Sequence, residues 1–270
     1  MRGASRATLA EAKSRLAAFP AAQTDFGRLG DEMFAFTALL DREPALRRTL
    51  SDPAREGSAR AGLATGLLRG RLGEESLDLV GCLAAGRWSE PGDLPDAAEQ
   101  LGVLAIAEIA DQRGELDDLE DELFRFGRVV NGQPELRSAL SSPFLPAESK
   151  QDLLGALLGG KVTGAALRLI TQAAVHPRGR SLDANLEAYA RLAAERRERL
   201  VAEVHVAVPL TGQQRGRLAA ALAAAYGHDV HLNIALDPQV IGGMSIHIAG
   251  EVIDGSMATR LAGLRRRLAA

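Results

Sequence analysis

Residues 155–161, Gly-Ala-Leu-Leu-Gly-Gly-Lys, have the spacing of a loop that cradles phosphate with backbone N–H groups and reaches it with a lysine, here Lys161. That chemistry needs a Ser or Thr hydroxyl next, to hold magnesium. This chain has Val162 there, with Thr163 one place late. Such a loop also follows a strand and opens a helix, whereas Leu153, Leu154, Leu157 and Leu158 read as the buried face of a helix that this segment closes. Gly160 is therefore expected to end that helix, with Lys161 beside the negative end of its dipole.

Other reactive side chains are equally unassembled. His228 and His231 have a spacing that metals use, but no second pair or acidic partner completes a ligand set. His205, His231 and His247 fall on the polar parity of strand-like segments, and His176 stands alone. Cys82, the single cysteine, cannot form an internal disulfide and has no nucleophile motif around it, so it reads as a small apolar filler in a helix. The carboxylates of residues 115–124 run along the outer faces of a helix, a solvated pattern. Two basic clusters, Arg196, Arg197 and Arg199, and Arg265, Arg266 and Arg267, could meet phosphate. A formal net charge of -3 creates no field for polyanions, so a solvated face or an acidic partner helix suits them better. Aromatic residues make up only 4% of the chain, which leaves no platform for stacking bases. No catalytic residue, cofactor, metal or nucleic acid is expected.

The elements that carry these residues are mostly helical. At 270 residues, 46% hydrophobic and 25% charged, the chain is long enough to bury sizeable cores, built chiefly from Ala and Leu. The first 22 residues contain Glu11 and Lys13 and lack the apolar stretch of a secretory signal. No apolar run approaches the roughly 18 residues of a spanning helix. An intracellular protein is expected, held at any membrane by other proteins rather than inserted in it.

The first two-thirds of the chain repeat. The segment starting at Met33 aligns without gaps on the segment starting at Leu123, at an offset of 90 residues. Phe34, Phe36, Pro44, Leu46 and Arg47 fall on Phe124, Phe126, Pro134, Leu136 and Arg137. Leu50, Ser51 and Pro53 fall on Leu140, Ser141 and Pro143; Leu63, Leu67, Leu68 and Gly70 fall on Leu153, Leu157, Leu158 and Gly160. This predicts two tandem helical bundles, residues 1–96 and 97–199, joined at the Pro- and Gly-containing stretch around Trp88, a local packing anchor. In the second copy Leu116, Leu119, Leu123, Phe126 and Val130 recur at helical spacing.

After Arg199 the period changes from helical to alternating. Val204, Val206 and Val208 share one face of a strand, and Val230, Leu232, Ile234 and Leu236 share another. Between them a helix begins at Thr211-Gly212. Met244, Ile246 and Ile248 form a third strand, which turns at Gly250 into a fourth at Val252-Ile253. Asp254 or Ser256 then caps a last helix bearing Met257, Leu261, Leu264 and Leu268. Residues 200–270 thus read as a small β-α-β-β-α domain, and the whole as α+β, mostly α. Gly242-Gly243 permits positive φ on entering the third strand.

Asp237, Gly242, Gly243, Gly250, Asp254, Gly255, Ser256, Leu261 and Leu264 stand at the fixed positions of a C-terminal signature. The pattern resembles that of the delta subunit of F-type ATP synthases, the family of the oligomycin sensitivity conferral protein. Arg178-Gly179-Arg180 is similar to the family's turn before its last bundle helix. Residues 97–268 resemble a complete family member, and 1–96 an added copy of its first domain, as in long actinobacterial forms. The resemblance implies a non-catalytic peripheral-stalk subunit at the cytoplasmic face of the cell membrane. It would hold the N-terminal helices of the alpha subunits and the C-terminus of the b-type stalk, keeping the catalytic head from turning with the rotor during proton-driven ATP synthesis. The second copy, contiguous with the signature domain, is the expected alpha-binding bundle, and the resemblance makes Leu116, Leu119, Leu123 and Phe126 its candidate groove for a partner helix. A helical adaptor unrelated to energy conversion is the competing reading, and an ATP-hydrolysing enzyme rests only on the incomplete loop at Gly155.

Overall fold

The computed structural model describes residue 1 and residues 3–197, 200–226, 230–236, 243–248 and 251–254. Two compact units emerge, Met1–Arg197 and Glu198–Ala270.

The first unit is helical: α1 Gly3–Ala17, α2 Phe26–Arg42, α3 Pro44–Ser51, α4 Gly57–Leu68, α5 Glu74–Ala85, α6 Asp93–Gln112, α7 Leu116–Gly132, α8 Pro134–Ser141, α9 Ala147–Leu158, α10 Gly164–Val175 and α11 Leu182–Arg197. The 90-residue offset carries the bounds of α2 to α5 onto those of α7 to α10. Both short helices, α3 and α8, start with a proline in the first turn, where its missing N–H has no partner to lose. Core positions coincide as well. Leu29, Met33, Phe36 and Leu40 of α2 are buried, and so are Leu119, Leu123, Phe126 and Val130 of α7.

The offset also does something that the sequence division misses. It places α1 on the first part of α6, and α6 on α11. Helix α6 therefore closes the first copy and opens the second, and the expected division at residues 96/97 falls inside it. It packs on α1, α2 and α5 of one copy and on α7, α10 and α11 of the other. The two bundles overlap in one helix and share one core, which runs from Leu9 to Ala193. A helix packed on both sides must bury apolar residues around most of its circumference, and apart from Glu99 α6 does: Leu94, Ala97, Ala98, Leu101, Val103, Leu104, Ala105, Ile106 and Ala107 are all buried.

Glycine sets the closest of these contacts. A Cβ on Gly30 would come within 2.6 Å of Ile106 Cδ1, and one on Gly102 within 2.6 Å of Phe34 Cε1. The phenyl ring of Phe34 thus lies directly over the backbone of α6.

The second unit contains β1 Leu200–Val206, α12 Gly212–Tyr226, β2 Val230–Leu236, β3 Met244–Ile248 and β4 Glu251–Asp254. They form a sheet in the order β2-β1-β3-β4. Strands β1 and β2 are parallel, in a register that pairs Val204 with Ile234, and α12 supplies the crossover such a pair requires. Strand β3 runs antiparallel to both β1 and β4. Ala202, Val204, Val206, Leu222, Leu232, Ile246 and Ile248 form a separate small core. Val208, expected on the buried face, lies beyond the end of β1 and is exposed. Thr211 opens α12 with reciprocal bonds: its Oγ1 accepts from Gln214 N at 3.3 Å, and its own N–H donates to Gln214 Oε1 at 2.8 Å. The expected last helix lies outside the described residues.

Candidate interaction site

The phosphate-loop lookalike is a helix end. Helix α9 stops at Leu158, Gly160 takes φ of 71°, and Lys161 Nζ donates to Leu157 O at 2.9 Å. The equivalent Gly70 in the first copy has φ of 78°. Both sites need a residue tolerant of the left-handed region, and both end their helix as expected.

Cys82 is buried in α5, and burial pushes its thiol up to about 11, with the nearby carboxylates of Glu11 and Asp78 adding to the effect against Arg15. It is a core atom, not a nucleophile. Trp88 is buried and donates from Nε1 to Leu83 O at 2.9 Å, as a local anchor should. His247 is exposed and His205 half-buried, their rings edge to face at 5.6 Å on the polar side of the sheet. His176 is exposed at the end of α10. His228 lies outside the described residues, as do Arg199, Arg265, Arg266 and Arg267.

The groove expected from Leu116, Leu119, Leu123 and Phe126 is not open. Leu119, Leu123 and Phe126 are buried in the bundle core, and Leu116 is half-buried against it. Their helical spacing marks the face α7 turns inward, which its own bundle already covers. The apolar side chains that α7 presents to solvent are Phe124 and Val129. Phe144, in the loop after α8, is 93% exposed. Of the signature residues, Gly243 takes φ of 87° just before β3, and Asp254 ends β4. Asp237, Gly242, Gly250, Gly255, Ser256, Leu261 and Leu264 lie outside the described residues.

Three polar devices went unread in the sequence. Glu32 Oε2 accepts from Gly73 N at 2.9 Å at the start of α5. Glu122, 90 residues on, accepts from Thr163 N at 2.9 Å and from Thr163 Oγ1 at 2.7 Å at the start of α10. Each carboxylate sits where a helix N-terminus is positive. Burial alone would raise the Glu32 carboxyl, but hydrogen bonds from Ser76, Gly73 and Arg28 outweigh it and hold the group below its usual range. Buried cations repeat in the same way. Arg60 donates to Leu50 O at 3.1 Å and Ala85 O at 3.0 Å, and Lys150 to Ala174 O at 3.3 Å, each at the C-terminal end of a helix. The 90-residue alignment pairs Glu32 with Glu122 and Arg60 with Lys150, so the signal was present.

The third device joins the copies. Glu99 of α6 is buried. Its Oε2 accepts from Arg178 Nη1 at 2.8 Å and from Arg180, and its Oε1 from the Tyr189 hydroxyl at 2.7 Å. Arg178 also bonds Asp41 of α2 at 2.6 Å and Asp96 at 2.8 Å. Burial works against the Arg178 charge, but these three carboxylates win and hold its pKa above the ordinary value. Burial and the Glu99 charge both push the Tyr189 phenol up. Arg178 and Gly179 have φ of 50° and 73°, the tight turn expected before α11. This cluster fixes helix positions; it offers no nucleophile or open ligand site.

Comparison with known proteins bears on the same segments. Residues 103–268 match the family described as ATP synthase delta (OSCP) subunit. The match begins inside α6 and takes in the second copy and the sheet domain. The ATP synthase subunit delta of Streptomyces griseus subsp. griseus is 49% identical over 270 residues, covering 100% of both chains. That of Thermobifida fusca is 48% identical over 271 aligned positions, again covering 100% of both, so these relatives align with the first copy too. A chain from the mitochondrial ATP synthase hexamer of Toxoplasma gondii aligns at 24% identity over 62% of this chain and 95% of that one. Its TM-score of 0.27 is too low to carry an argument. Matched through its second copy and sheet domain, and in full by relatives nearly half identical, the chain belongs to the ATP synthase delta (OSCP) subunit family.

Proposed function

We propose that this chain is the non-catalytic peripheral-stalk subunit that links the catalytic head of an F-type ATP synthase to its membrane-anchored b-type stalk and resists rotor torque. The full-length identity to subunit delta relatives carries this reading. The architecture suits it. One core shared through α6, with Arg178 clamping Asp41 of the first copy to Glu99, lets the helical unit bear load without a linker. The partners are the N-terminal helices of the alpha subunits and the C-terminus of the b-type stalk, with no nucleic acid. Among the described residues no helix is long and apolar enough to cross a membrane. The chain accordingly reaches the cytoplasmic face as a peripheral part of the complex, through those partners. The second copy, residues 97–199 with α6 shared, takes the alpha helices; the first is an added brace.

The test is purification of a tagged chain from host membranes. Recovery of ATP synthase alpha and b subunits in stoichiometric amounts is expected, and their absence sinks the assignment. The isolated chain should show no saturable ATP binding; measurable binding would reinstate an enzymatic reading.

A further inference from the structure

We propose that the cleft between α2 and α10 binds a small zwitterion of the free amino-acid class. Both helices rest on α6, and between them lies a cavity of about 230 Å³ that the two copies line together. Asp31 and Phe34 come from the first copy; Gln151, Arg168, Thr171, Gln172 and His176 come from the second.

The duplication acts as a control on that lining. The positions 90 residues before Gln151, Arg168, Thr171, Gln172 and His176 hold Ala61, Asp78, Gly81, Cys82 and Gly86. In the first copy α1 packs on α5 at these positions. Arg15 donates to Asp78 at 3.0 Å, and Thr8 Cγ2 fills the place a Gly86 Cβ would take. In the second copy the corresponding positions turn polar and border a cavity. Gln172 is the telling member. It is 9% exposed, borders the cavity, and makes no side-chain hydrogen bond to a described residue. An amide buried without a partner is costly, and Cys82 shows that the repeat does not require one at this place. There the carboxamide offers a ligand both a donor and an acceptor.

Charge sets the class of ligand. Arg168 Nη2 stands 3.8 Å from Asp31 Oδ2, beyond hydrogen-bond reach, so each group keeps capacity for another partner. A Cβ on Gly27 would come within 2.7 Å of Arg168 Nη1, so glycine lets the guanidinium lie against α2. A simple anion at this pair would meet Asp31, and a simple cation would meet Arg168. A molecule with an ammonium and a carboxylate on one carbon gives each its complement, the carboxylate to the fork of Arg168 and the ammonium to Asp31. Its side chain then extends to Phe34, Val175 and the Gln172 amide. The cavity falls below the roughly 300 Å³ at which sites for drug-sized ligands begin, which suits a molecule this small.

The test is titration calorimetry of the purified full-length chain with each standard amino acid in turn, an experiment independent of the peripheral-stalk reading. Saturable binding of at least one is expected. Its α-hydroxy acid, which lacks the ammonium group, and its decarboxylated amine should each bind at least roughly tenfold more weakly. Asp31→Asn, Arg168→Gln and Gln172→Met should each weaken binding by roughly the same factor, with helical circular dichroism retained. Arg125→Gln, at an exposed pair on α7, should change it less than about twofold. Asp31 is exposed and makes no hydrogen bond to a described residue, so Asp31→Asn keeps the fold and decides the matter if Arg168→Gln melts early. Absence of binding by every amino acid overturns the proposal. So does binding of acetate or inorganic phosphate as tight as that of the amino acid, which makes the cleft a plain oxyanion site, and so does unchanged affinity in Asp31→Asn.

Discussion

The Tyr189 hydroxyl donates to Glu99 Oε1 across 2.7 Å in a place sealed from water, joining the last helix of the bundle to the helix both copies share. The other oxygen of the same carboxylate accepts from Arg178 and Arg180, so one buried side chain holds three partners. Removing Glu99 leaves a buried guanidinium short of one of its carboxylates. Glu99→Ala should lower stability by about 3 kcal/mol, and Tyr189→Phe by about 1 kcal/mol, in urea unfolding followed by circular dichroism. Equal effects would mean that the hydroxyl, not the ion pairs, dominates the cluster.

Substitution of glycine by alanine in a helix normally stabilises, and here the sign should depend on position. Gly62→Ala and Gly66→Ala on α4 meet nothing within 4 Å and should each raise stability by about 1 kcal/mol. Gly30→Ala and Gly102→Ala force α2 away from α6 and should lower it by about 1–3 kcal/mol. Thermal melts of the four variants decide it; a uniform sign would show that the α2–α6 contact yields easily.

The two capping carboxylates should behave alike. Glu32→Ala and Glu122→Ala should each cost about 1–2 kcal/mol. The Glu32 carboxyl is held below its unfolded value. Its contribution is therefore complete above a pH of about 4.3 and is lost as pH falls through the depressed folded pKa. Glu32→Gln should flatten the acid limb of a stability–pH curve; an unaltered limb would remove Glu32 from the account.

At alkaline pH the relevant group is Cys82. Its folded pKa of about 11 exceeds the ordinary 9.0, so the folded chain keeps the proton while the unfolded chain loses it. Stability from this site is complete below about pH 9 and falls by about 2–3 kcal/mol as pH rises through about 11. Cys82→Ala should lack that slope in urea melts taken across this range. A slope that persists in the variant would point to Tyr189 instead, whose phenol is also raised and whose neutral form the fold favours.

Much of this architecture could be read from residue order because its signals are local or periodic. Pro44 and Pro134 open helices, Gly70 and Gly160 close them, and the alternation of Val204 and Val206 marks a strand. The repeat, read from Met33 to Gly70 and from Leu123 to Gly160, takes in α3, α4, α8 and α9 with most of α2 and α7, and stops short of α5 and α10. What it did not show was that α6 serves both copies, because that follows from packing on two sides and not from any pairwise match. The candidate groove failed for a related reason. Spacing at three and four residues identifies the face a helix buries, and a face buried in its own bundle cannot also receive a partner. Phe124 breaks that spacing, so periodicity passes over it. Glu99 and Arg178 were illegible because their meeting depends on tertiary folding across 79 positions of sequence.

Sharing α6 also fixes what kind of object the added length makes. Two bundles on a flexible tether would swing, and tension between them would first be spent straightening the tether. A helix that is core to both sides has no slack to take up, so displacement at α1 and displacement at α11 are strained together from the start. Within the helical unit the extra copy adds a second bundle without adding a joint.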